Sequence, residues 1–102
     1  MKTVKIKDII QSSYASDNEQ GDTVFKAIER LLKETNDPLN IDFTGISLMT
    51  TAFLNNAIGR LFQEFNIKDI KLRIKFSNIK DKQDVEMLRL VLINSLEMNR
   101  IQ

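Results

Sequence analysis

Leu39-Asn40-Ile41-Asp42-Phe43-Thr44-Gly45-Ile46-Ser47-Leu48-Met49-Thr50-Thr51-Ala52-Phe53-Leu54 carries two hydrophobic periods in succession. Leu39, Ile41 and Phe43 alternate with Asn40 and Asp42, which is the period of a half-buried strand. After Thr50-Thr51 the apolar residues Leu54, Ile58, Leu61, Phe62 and Phe65 recur at helical spacing instead. Gly59 inside that helix costs about 1 kcal/mol relative to alanine, so close backbone packing is the expected reason for it. A strand that turns directly into an amphipathic helix is half of a β-α-β unit, and the flanking segments decide what sheet it joins.

Towards the N-terminus, Val4 and Ile6 alternate with Lys5 and Lys7, so Lys2–Asp8 reads as a first strand. The polar stretch Gln11–Gly21 has no apolar period and is long for a connection, as functional loops often are. Asp22 can cap the next helix. Val24, Phe25, Ile28, Leu31 and Leu32 form its apolar face, opposite Lys26, Glu29, Arg30 and Lys33. Asn36-Asp37-Pro38 ends that helix, because the residue before a proline avoids helical backbone. Towards the C-terminus, Ile70, Leu72, Ile74 and Phe76 alternate with Lys71, Arg73 and Lys75 as a third strand, at an edge or covered on one face only. Asp81 opens a last helix with Val85, Leu88, Leu92 and Leu96 as its stripe, and Met87 and Met98 read as core filler ahead of an adaptable contact. The order β-α-β-α-β-α implies an α/β fold, a mainly parallel small sheet with helices packed on it, in a single domain over 1–102.

Composition narrows the chemistry. The 102 residues carry 15 Lys+Arg against 14 Asp+Glu, a formal charge of +1, with no cysteine and no histidine. Thiolate and imidazole chemistry is excluded, and no metal site or cofactor is expected. The near-neutral balance argues against a nucleic-acid partner, so Lys71, Arg73 and Lys75 read as an exposed strand face. The longest apolar run, Leu90–Ile93, is far too short to span a bilayer, and the charged N-terminus does not resemble a signal peptide. A cytoplasmic domain is the expectation.

In a parallel sheet, ligands and partners meet the loops beyond the carboxyl ends of the strands. Those loops are Gln11–Gly21, Thr44–Thr51 and Ser77–Asp81, which gather hydroxyls and few charges. Thr50 and Thr51 stand where a helix begins. One of them caps it, and a phosphate there would meet free N–H groups and the positive end of the helix dipole. Phe53 either fills the core or anchors a partner, and Asn55 and Asn56 either bond a partner or stay solvated. Asp42, without a second carboxylate, reads as structural.

The segment Ile41–Leu54 resembles the central part of STAS domains, the fold of sulfate-transporter tails and anti-sigma factor antagonists. In the antagonists a strand ending in Asp leads through a small–Gly–Val/Ile turn to Asp-Ser-Ser-Gly-Leu at a helix start, and the second residue of that motif is the phospho-acceptor. It falls on Thr51; the motif's aspartate is replaced by Thr50 and its glycine by Phe53. Thr51-Ala52-Phe53-Leu54-Asn55 and Gly59-Arg60-Leu61 are closer to an uncharacterised bacterial STAS-like family. The resemblance implies a STAS-like sandwich and a non-enzymatic regulatory module. Such a module would dock a kinase- or ATPase-like signalling protein through Thr44, Ser47, Phe53, Asn55 and Asn56, with Thr51 or Thr50 as acceptor. A sensor of a small anionic ligand or nucleotide at the same edge is the alternative, although no glycine-rich phosphate loop is present.

Overall fold

Each strand of the main sheet buries one side and leaves the other polar, and the layering follows from that. The computed structural model describes residues 1–101, with side chains up to residue 98. In chain order the elements are β1 (Lys2–Lys5), α1 (Ile6–Ile10), β2 (Tyr14–Ala15), α2 (Asn18–Glu34), β3 (Leu39–Asp42) and β4 (Leu48–Met49). There follow α3 (Thr51–Leu54), a π-helical turn (Asn55–Gly59), α4 (Arg60–Glu64), α5 (Ile67–Arg73), β5 (Ile74–Ser77) and α6 (Lys82–Ile101). Strands β1, β3 and β5 form one sheet in the order β1-β3-β5, all parallel, and β2 pairs with β4 in a second short parallel ladder.

Register sets the faces. Val4, Ile41 and Phe76 are in line across the main sheet, as are Lys5, Asp42 and Ser77. Val4, Leu39, Ile41 and Ile74 are buried, whereas Thr3, Lys5, Asn40 and Lys75 on the other face are not. The buried face shares one core with Phe25 and Ile28 of α2, Phe53 and Leu54 of α3, Leu61 of α4, and Leu88 and Val91 of α6. The fold is therefore mixed α/β, a small parallel sheet with helices packed on it. α3, the π turn and α4 run on as one helical stretch that packs against α2 and α6. Gly59 lies where α6 crosses that stretch: a Cβ there would stand 2.8 Å from Ser95 Oγ and 3.3 Å from Val91 Cγ1. Close packing is the reason for the glycine, as the sequence suggests.

Several expectations change. Ile70–Phe76 is not one strand; it spans the end of α5 and most of β5. Asn66 Oδ1 accepts from the Lys68 and Asp69 amides to start α5, Asp69 sits in its first turn, and Lys71 and Arg73 sit in its last. These are helix-terminal signals that outweigh a short alternation. Leu72 is accordingly 76% exposed and Ile70 buried. β5 proper is an edge strand with one face covered. The basic stripe dissolves, because Arg73 turns inward and donates to the carbonyls of Leu32 (3.1 Å), Thr35 and Asp37 (3.3 Å), sealing the C-terminal end of α2.

The stretch Gln11–Gly21 is not a plain loop. It contains β2, and α2 begins at Asn18 with Asp17, not Asp22, as its cap. The first strand stops at Lys5, and the buried Ile6 already belongs to α1. In α6 the buried line runs through Leu88, Val91 and Ser95, while Val85 and Met98 are each 48% exposed, so Met98 is not core filler.

Candidate functional site

The three loops expected beyond the strand ends do meet on one edge. Ser47 reaches back to the first loop, its amide donating to the Ser13 carbonyl at 2.8 Å and its hydroxyl to the same oxygen at 3.3 Å. The Thr50 amide donates to the Ala15 carbonyl at 3.1 Å, extending the β2–β4 pairing. From the third loop, Asn78 Nδ2 donates to Asp42 Oδ1 at 2.8 Å.

Asp42 is the tie of this edge. Its Oδ1 also accepts from the Thr44 amide at 2.9 Å and from the Thr44 hydroxyl at 2.6 Å. The Thr44 hydroxyl above all, then Asn78, the Thr44 amide and the charge of Lys5 hold the Asp42 carboxyl below the usual range, against the opposing push of burial. A carboxylate so stabilised in its ionised form is a weak proton acceptor and a good anchor for a turn. The turn it anchors places Gly45 at φ +81°, backbone that a side chain rarely adopts, and a Cβ there would meet Lys7 Cδ at 2.8 Å.

The helix start behind the turn treats its two threonines differently. Thr50 is the N-cap: its Oγ1 accepts from the Phe53 amide at 3.2 Å and donates to the Ser16 carbonyl at 2.8 Å. Thr51, the first helical residue, is exposed. Phe53 is fully buried, at 0% exposure, so it fills the core and presents nothing to a partner. Asn56 is also committed inward. Its Nδ2 donates to the Asn18 carbonyl at 2.6 Å and to Asp22 Oδ1 at 2.7 Å, clamping the helix to α2. Of the other residues expected at the edge, Thr44, Ser47 and Asn55 are exposed, the first two with hydroxyls engaged within the fold.

Two contributors escaped the sequence reading. Tyr14 and Leu48 are direct partners in the β2–β4 ladder, and they remain 60% and 47% exposed. Together they make an apolar pair on a rim otherwise built of hydroxyls. The signal was thin, a single tyrosine within a polar run. Arg60 is the other: its Nη1 donates to Asp22 Oδ1 at 2.8 Å, its Nε to Glu64 Oε2 at 3.3 Å, and its guanidinium lies 3.9 Å from the centre of the Phe25 ring. An open depression of about 460 Å³ lies beside it, lined by Asn18, Asp22, Ala52, Asn55 and Gln63 among others. The nearest cation is thus already matched by two carboxylates. Among the described residues no group of three or more acidic, cysteine or histidine side chains could hold a metal ion.

A family model described as a STAS-like domain of unknown function (DUF4325) matches residues 20–84. This chain belongs to that family. The matched residues of the STAS-like domain run from Gln20, in the first turn of α2, to the first turn of α6, and they include β3, the Asp42 turn and the helix start. The mixed α/β arrangement, a small parallel sheet with helices packed on it, is consistent with a STAS-like fold. No curated protein and no solved structure matches the chain significantly. Among the described residues, no helix of the STAS-like domain is long and apolar enough to cross a membrane.

Proposed function

We propose that this STAS-like domain is a cytoplasmic, non-enzymatic regulatory module that binds a kinase- or ATPase-like signalling protein through the Thr44–Phe53 edge, with Thr51 as the phospho-acceptor. The observation that carries the reading is the division of labour at the helix start. Thr50 has its hydroxyl engaged as both donor and acceptor, while Thr51 stands exposed one residue further on, three positions along the chain from the exposed Leu48. A phosphate on Thr51 is locally compatible with the helix, because the N-terminal end of a helix favours negative charge. In a contact that includes exposed apolar side chains the same phosphate is disruptive, since it brings charge and a hydration shell into a surface that must be dried. Phosphorylation would thus spare the domain and abolish the complex. Tyr14, Leu48, Thr44, Ser47 and Asn55 form the contact, and Phe53 and Asn56 support it from behind.

The alternative, a small anionic ligand or nucleotide at the same edge, is less favoured at the depression beside the helix start, because Arg60 there is held by Asp22 and Glu64. The test is an affinity capture from the native lysate with wild type, Thr51→Ala and Thr51→Glu as baits, with mass spectrometry of the bound proteins and of the bait. A kinase- or ATPase-type protein held by wild type and Thr51→Ala, lost by Thr51→Glu, with phosphate found on Thr51, is the expected result. Identical partners on all three baits and an unmodified Thr51 would leave that residue as a helix-start threonine and nothing more.

A further inference from the structure

Helix α6 presents two different sides. Leu88, Val91 and Ser95 are buried against the rest of the domain, Ser95 to 1% exposure. The opposite side carries Glu86, Arg89, Leu90, Ile93 and Glu97, all exposed. Val85, Leu90, Ile93 and Met98 are half of the large apolar side chains left exposed among the described residues. At about 100° per residue, Ile93 points away from the Val91–Ser95 seam and marks the middle of the outward side. The face lies beyond the residues matched by the family model, which end at Asp84, and shares no residue with the Thr51 edge.

The charges on this side are arranged about Ile93 with reversed sign. Arg89 lies four residues before it and Glu97 four after; Leu90 lies three before, and Leu96, half-buried against the domain core, three after. The sequence continues the reversal with Glu86 seven before and Arg100 seven after. A two-fold axis through Ile93, normal to the helix, reverses both the direction along the helix and the side to left or right. Arg89 and Glu97 sit about 40° to either side of Ile93 at the helical repeat, so this operation brings Arg89 of one copy onto Glu97 of the next. Leu90 falls on Leu96 in the same way, and like charges meet nowhere in this register.

We propose that this face joins two copies of the chain, their α6 helices packed antiparallel about Ile93, with Leu90 and Leu96 flanking it and an Arg89–Glu97 ion pair on each side. The ion pair Arg89 makes with Glu86 is no obstacle. Arg89 Nε donates to Glu86 Oε2 at 3.0 Å and its Nη2 to Glu86 Oε1 at 2.5 Å, but both side chains are more than half exposed to screening water, and a guanidinium has five N–H groups to share. A single pair of helices covers a modest area, so the dimer is weak and exchanges with monomer.

Sedimentation velocity on the full chain, from about 10 µM to about 1 mM, tests this over the range where a small interface dissociates. Wild type is expected to shift from monomer to dimer across the series. Arg89→Glu and Glu97→Arg, each alone, set like charges opposite one another and should raise the dissociation constant about tenfold or more. The double variant Arg89→Glu/Glu97→Arg restores the match and should return it to within about threefold of wild type. All these positions are exposed, and circular dichroism confirms that each variant keeps its helix content. A wild type monomeric throughout, a dimer indifferent to the single reversals, or a double variant no better than the singles overturns the proposal.

Discussion

Two helix starts meet at the hydroxyl-lined edge, and they are held in different ways. α2 begins with a reciprocal box: the Gln20 amide donates to Asp17 Oδ1 at 2.8 Å, and Gln20 Oε1 accepts from the amides of Asp17 and Ser16. Gln20 Nε2 donates to the Tyr14 carbonyl at 2.9 Å, so these bonds all close within seven consecutive residues. α3 begins with Thr50, whose hydroxyl reaches 34 positions back along the chain to the Ser16 carbonyl. The first start closes wholly within its own sequence; the second has a local cap bond from the Phe53 amide and is also tied to the distant Tyr14–Ser16 segment. A disturbance at Thr50 therefore reaches β2 and its exposed tyrosine, whereas one at Thr51 remains on the surface.

The largest effect should come from the residue directly behind the second start. Phe53→Ala removes a fully buried ring and should cost about 3–5 kcal/mol in urea denaturation, a large share of the roughly 5–15 kcal/mol that holds a domain of this kind together. Tyr14→Ala, on the exposed rim, should stay within about 0.5 kcal/mol. Equal costs at the two sites would mean that the rim and the core have been assigned to the wrong rings.

The two caps come next in size. Thr50→Ala loses the bond from the Phe53 amide and the one to Ser16, for an expected loss of about 1–2 kcal/mol. Asp17→Ala should cost about 1 kcal/mol, and Thr51→Ala less than about 0.5 kcal/mol. Denaturation midpoints of the three variants check the order. If Thr51→Ala fell as far as Thr50→Ala, the two threonines would not be divided as they are here.

The same contrast explains what could be read from the chain alone. The strand through Ile41 and the helix start at Thr50 were legible, because alternation gave way to helical spacing at a residue able to cap. The edge itself was legible too, since parallel strands separated by helices bring their following loops together. The segment Ile70–Phe76 misled because seven residues of alternation cross the border between α5 and β5, and the deciding signal, Asn66 as a cap, lies outside the window. The start of α2 was misplaced although Asp17-x-x-Gln20 is a capping-box pattern; its first turn is so polar that the first apolar residues point to Asp22 instead. The inward commitments of Asn56 and Arg73 had no local signal. Both bond groups more than thirty positions away, and only the packing of helices and strands brings those groups near.

The smallest effect separates the turn from the helix starts by its dependence on pH. Asp42 has its carboxyl held below the usual range, so the ionised form is favoured in the fold. Its contribution is fully present above the unfolded carboxylate value, near pH 4, and is lost as pH falls through the lower folded value. Asp42→Asn removes the charge that Lys5 and the Thr44 hydroxyl favour while leaving an amide oxygen for Thr44 and Asn78 to bond. The variant should be less stable than wild type at pH 7, and the gap should narrow as pH drops below about 4, where wild type takes up the proton that the variant cannot. Thr50→Ala, which involves no titrating group, should show the same deficit at both ends of that range. Thermal unfolding midpoints between pH 7 and pH 3 distinguish the two. A gap for Asp42→Asn that stayed constant with pH would show that the carboxylate holds the turn by shape alone, and the edge would then rest on its hydrogen bonds without help from charge.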